Sequence, residues 1–249
     1  MQHIDTTIGR VAASARGRGA VSLVIVGSWS RGTPGPLSDL DMICLGDGPE
    51  YELEAVGQTL VAWAWRSFDD QRKRFESPEV GALEAAAWRE ARILFDHDDQ
   101  AFHLQQLAAT WTWDRIGDGA DQWVVEEFSG LAEEMHKILA ASAAGRQRLA
   151  LIQIRYVAIR LHWLAAVHLR HGAESENELW DVVERLPELD RPLRSALIAD
   201  VRSSGPGLTG TAVQAIMDAY GALARHLWSS MSPRQVAVVR LVLERNDLR

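Results

Sequence analysis

Two β-rich apolar runs separated by a glycine- and proline-rich loop constrain this chain most. The first is Val21-Ser22-Leu23-Val24-Ile25-Val26, followed at once by Gly27-Ser28. The second is Asp39-Leu40-Asp41-Met42-Ile43-Cys44-Leu45. Residues 29–38 between them hold Gly32, Pro34, Gly35 and Pro36, which read as a turn or loop. Runs of this length and composition are buried strands. The chain must therefore bring Gly27-Ser28 back beside Asp39 and Asp41.

Strand-like runs continue at 59–66 and 91–96, with helical stretches at 3–18, 50–58, 79–90 and 100–109. After Trp113 strand signals stop. Helical periodicity then predicts helices near 119–142, 146–171, 175–186, 189–202, 210–229 and 232–246. The breaks fall at Gly145, Gly172, Pro187 and the 203–207 Ser-Ser-Gly-Pro-Gly run. The expected architecture is α+β: a mixed sheet with helices over 1–112, then an all-α helical bundle over 113–249.

The chemistry is concentrated in the first loop. Side chains alternate along a strand, so Asp39 and Asp41 share a face. Two carboxylates that close repel unless a cation lies between them. Hard oxygen donors select Mg²⁺ or Mn²⁺. Gly27 lets a phosphate approach the backbone, and Ser28 supplies a hydroxyl donor. Together these parts suit a metal–triphosphate complex.

The segment Val26-Gly27-Ser28-Trp29-Ser30-Arg31-Gly32, then Ser38-Asp39-Leu40-Asp41-Met42-Ile43, resembles the signature of the DNA polymerase beta-like nucleotidyltransferase superfamily. The late strand Arg92–Asp96 and the helical C-terminal half look like the aminoglycoside (kanamycin-type) nucleotidyltransferases. The likeness is specific over 21–45, looser over 59–110, and one of architecture alone beyond 115. It implies a Mg²⁺-dependent enzyme that moves a nucleoside monophosphate, AMP from ATP or its equivalent from another NTP, onto a small-molecule hydroxyl. Asp39 and Asp41 would be the metal ligands and catalytic carboxylates, with Gly27, Ser28 and Arg31 on the phosphates.

Such enzymes usually carry a third carboxylate on the next central strand. Here that strand is 59–66, and neither of its faces, Leu60/Ala62/Ala64 or Val61/Trp63/Trp65, holds an acid. Glu76, after a short strand over 72–75, is one substitute. The resemblance also places a glutamate base on the first helix of the second half, where Glu126, Glu127, Glu133 and Glu134 lie; Glu127 is the candidate carried forward. Weak transfer or nucleotide binding alone is the competing reading, and nucleotide transfer to a protein is a third.

The net charge of −8 disfavours a nucleic-acid acceptor and suits a cationic small molecule. The single cysteine, Cys44, excludes an internal disulfide framework and favours a reducing cytoplasm. No run approaches the ~20 apolar residues of a membrane span, and no signal peptide is visible. Histidines 162, 168 and 171 read as helix-surface or helix-end residues rather than metal ligands. Monomer and homodimer stay open.

Overall fold

The computed structural model describes residues 2–172, 175, 178–198 and 206–246. The chain forms two compact units. One comprises Met1–Ile116 with Gly172–Glu176, and the other Gly117–His171 with Asn177–Arg249.

The first unit is built on a mixed five-stranded sheet: β1 (Ser22–Val26), β2 (Leu40–Leu45), β3 (Tyr51–Val56), β4 (Thr59–Arg66) and β5 (Arg92–Asp96). The spatial order is β3-β4-β2-β1-β5. β2 and β4 run parallel, and every other neighbouring pair is antiparallel. α1 (Gln2–Gly17) covers one face, where Val11 and Ala15 meet Leu23, Ile25, Met42, Cys44, Trp63 and Trp65. On the other face α4 (Gly81–Arg89) and α5 (Gln100–Ala109) bury Trp88, Leu104 and Ala108 against Val24, Ile43 and Leu45. Asp96 ends β5 and accepts from the backbone N–H groups of Ala101 and Phe102 at 3.2 and 2.9 Å. That carboxylate satisfies two otherwise orphaned donors at the start of α5.

Three local expectations fail. Residues 50–58 form no helix: 51–56 are β3, the edge strand. Alternation of Tyr51, Leu53 and Ala55 with Glu52, Glu54 and Val56 has a period of two, and Gly57 at φ +67° closes the hairpin to Thr59. Helix-favouring Glu, Leu and Ala yield to pairing with β4. Residues 72–75 form no strand; most of them end α3 (Phe68–Arg74), whose cap is Ser67 accepting from the Asp70 N–H at 3.1 Å. Residues 27–31 are not irregular but a single helical turn, α2 (Gly27–Arg31), stopped by Gly32 at φ +75°.

The second unit is helical throughout its described residues: α6 (Gly119–Ala143), α7 (Gln147–His168), α8 (Leu179–Val183), α9 (Pro187–Ile198), α10 (Pro206–Leu227) and α11 (Pro233–Asn246). The α6–α7 turn uses Gly145 at φ +68°, with the Arg146 N–H donating to Ala141 O at 2.8 Å. Phe128 of α6 stacks on buried Tyr220 of α10, ring centroids 4.4 Å apart. α7 is long and apolar enough to cross a membrane by length and composition alone, contrary to the reading of the bare sequence. Most of that stretch is buried within the protein, which is how a central bundle helix also reads. The predicted break at 203–205 lies outside the described residues, while Pro206 and Gly207 begin α10.

Candidate active site

Antiparallel pairing sets Val26 opposite Asp41, so the end of β1 and the start of β2 meet at one edge of the sheet. Asp41 lies on the same sheet face as Ile43 and Leu45, which α4 and α5 bury further along. Asp39 immediately precedes β2. Gly27 opens α2 at φ +72°, and a Cβ there would stand 2.6 Å from Asp41 Oδ2. Only glycine meets both demands, a left-handed backbone and direct contact with the carboxylate.

Three further contacts hold the loop over the pair. The Ser28 carbonyl accepts from the Gly32 and Thr33 N–H groups. The Ser30 hydroxyl donates to Gly27 O at 2.9 Å. Trp29, packed on the core beneath, donates its indole N–H to Ser38 O at 3.4 Å, and Ser38 Oγ accepts from the Gly35 N–H at 2.8 Å. Trp29 and Ser38 thus tie the glycine turn to the residue before Asp39. Sequence reasoning assigned them no role. The available signal was a tryptophan and a serine inside a loop otherwise made of Gly, Pro and Arg.

The electrostatics of the pair is unfavourable without a counterion. Asp41 is pushed up to about 6, first by burial, then by the charge of Asp39, with Arg31 pulling it back down. Arg31 therefore lies where it acts on the carboxylate, and Gly27, Ser28, Arg31, Asp39 and Asp41 gather in one place. Two mutually repelling carboxylates beside a single arginine make a hard-oxygen donor set that fits Mg²⁺ or Mn²⁺, with substrate phosphates and water completing the shell.

No third acid joins them from the sheet. Asp41 pairs in register with Ala62 on β4, and Ala62 with Leu53 on β3. Leu60 and Ala64 share that face. Glu52 and Glu54 of β3 point the other way, where Glu54 accepts from the Trp63 indole N–H at 3.2 Å. Glu76 follows α3 and pairs with Arg72 at 3.1 Å. Among the described residues no group of three or more His, Cys, Asp or Glu side chains is arranged to hold a metal.

The glutamates of α6 belong to the second unit. Glu127 is gripped by Arg160 of α7 at 2.6 Å. Glu133 and Glu134 both pair with Lys137. Glu126 is exposed. His162 is no surface residue: it is buried, bonded to Ala158 O, and pushed down to about 4 chiefly by burial. Cys44 is a buried core thiol pushed up to about 12 by its burial.

Residues 11–95 match the family model of the nucleotidyltransferase domain. Among solved structures, a nucleotidyltransferase-like protein from Exiguobacterium sibiricum 255-15 superposes with a TM-score of 0.55 at 10% identity. That likeness covers 97% of this chain and 88% of the other, and at such identity it speaks for the fold. No curated protein matches the sequence. The family match spans the glycine turn, both aspartates and the strands that carry them, so the chain bears a nucleotidyltransferase domain of the DNA polymerase beta-like superfamily.

Proposed function

We propose that the protein transfers a nucleoside monophosphate, AMP from ATP, to a hydroxyl group of a small molecule. The acceptor oxygen attacks the α-phosphorus, the bond from that phosphorus to the bridging oxygen breaks, and pyrophosphate leaves with the electron pair. The acceptor's proton passes to a base. The observation that carries this reading is the buried Asp39–Asp41 pair beneath Gly27, whose repulsion calls for a cation.

Asp39 and Asp41 would hold Mg²⁺, which neutralises the phosphates and lowers the cost of the charge developing on them. Gly27 leaves room for the triphosphate against the backbone. The Ser28 hydroxyl donates to a phosphate oxygen, and Arg31 offsets the remaining negative charge. Glu127 is the candidate base, held in orientation by Arg160. An aminoglycoside-like acceptor agrees in sign with the net charge of −8.

A second reading, nucleotide binding with little transfer, rests on Ala62 standing where β4 meets Asp41 in register. One experiment separates the two. The protein is incubated with Mg²⁺, ATP labelled on the α-phosphate and a panel of hydroxylated small molecules, aminoglycosides included. Transfer predicts label on an acceptor and pyrophosphate in solution, both lost in Asp41→Asn. Bound label with no product on any acceptor would favour the second reading. Absence of metal-dependent binding would sink both.

A further inference from the structure

α7 buries most of its circumference yet carries a second apolar stripe facing outward. Leu149, Ile152, Tyr156 and Ile159 are 40%, 53%, 51% and 51% exposed, and Trp163 extends the line half-buried. Their spacing is three, four, three and four residues, which is the a/d repeat of a helix seam. The intervening positions Ala150, Leu151, Ile154, Val157, Ala158 and Leu161 are buried within the unit. α7 is thus packed on one side and patterned for another helix on the other.

The stripe is narrow, one side chain wide at each step, whereas a membrane-lying helix needs a broad apolar face. At roughly 200 Å² for a whole large apolar side chain, the four exposed residues present on the order of 400 Å². A specific interface takes about 800 Å² from each partner, with an apolar centre inside a polar rim. The stripe has the size of such a centre.

The flanks differ in charge. On one side stand Arg148 and Arg155. On the other stand Gln153 and Arg160, next to α6, where Glu127 takes Arg160 at 2.6 Å. The ion pairs Glu127–Arg160 and Asp121–Arg170 show that α6 runs antiparallel to α7. Glu134, two turns further along α6, therefore falls level with the stretch 153–155. An antiparallel pairing of two copies would set the Arg148/Arg155 flank against itself. A parallel two-fold pairing sets that flank against the glutamate-bearing flank of the other copy.

We propose that the Leu149–Ile152–Tyr156–Ile159 seam is a homodimer interface in which the α7 helices of two copies run parallel, each seam residue meeting its own counterpart. Sedimentation equilibrium of the full chain should show a concentration-dependent dimer. Ile159→Glu should weaken it roughly thirtyfold or more. An unchanged far-UV spectrum and melting temperature would show that this exposed substitution leaves the fold intact.

A cysteine series tests the geometry without relying on a destabilised interface. Leu149→Cys, Ile152→Cys, Tyr156→Cys and Ile159→Cys are each treated with copper phenanthroline in air, which oxidises two thiols to one disulfide. The native Cys44 is buried and its thiol is held protonated. Parallel pairing predicts that every variant cross-links to itself, because each pair of counterparts lies across the axis within disulfide reach. Cross-linking at a single position means antiparallel packing and overturns the proposal. So does a wild-type chain that stays monomeric, whether or not it floats with phosphatidylserine vesicles, and so does a dimer that Ile159→Glu leaves untouched.

Discussion

Asp41 costs the metal-free fold free energy and gives the loaded site its ligand. Its folded pKa of about 6 lies above the model value of 3.8. A group raised in this way favours the fold fully below the unfolded value and loses that contribution as pH rises through about 6. Asp41→Asn should therefore melt above wild type in EDTA at pH 7.5, with the gap closing toward pH 4, in paired thermal melts. With Mn²⁺ and ATP present the order should reverse, since only the carboxylate binds. Gly27 is the complementary case. Gly27→Ala must hold a left-handed backbone and find room 2.6 Å from Asp41 Oδ2. It should cost about 1–2 kcal/mol in urea unfolding and cut Mn²⁺ affinity at least tenfold, read by electron paramagnetic resonance. A wild-type titration curve for that variant would remove Gly27 from the site.

The strands decide which carboxylates can meet. β2 presents Asp41 because its odd positions face α4 and α5, and β4 answers with Ala62 because the parallel register places it there. Ala62→Asp puts an acid at that point. Mn²⁺ affinity is expected to rise roughly tenfold with the added ligand charge, and transfer to any acceptor found in the label assay should rise with it. Unchanged affinity would mean that position 62 does not address the metal. β3 shows how an element can be misread. Its composition favours helix, but the Gly57 turn and the free edge of β4 make pairing the better solution.

At the scale of the molecule, the sheet unit and the helical unit have separate cores. Each core can melt on its own account, so calorimetry of the full chain should resolve two transitions. The site of Gly27, Asp39 and Asp41 lies wholly in the first unit. Mg²⁺ with a non-hydrolysable triphosphate should raise the transition of that unit alone, by the free energy of binding to its folded state. Equal shifts in both would mean that the nucleotide also engages the helical unit.

The sequence by itself determined the sheet's inner strands, the succession of helices after Trp113 and the pairing of Gly27-Ser28 with Asp39 and Asp41. Each of these rests on local chemistry: apolar runs, a turn of glycine and proline, and alternation along a strand. Only the tertiary structure decided the rest. It made 51–56 a strand, turned 27–31 into a helical turn, buried His162 and gave Glu127 to Arg160. It also showed that the β4 face beside Asp41 carries Leu60, Ala62 and Ala64, and that α7 has an apolar side to spare. Register, burial and ion pairing are set by residues far apart in the chain, so no window of sequence contains them.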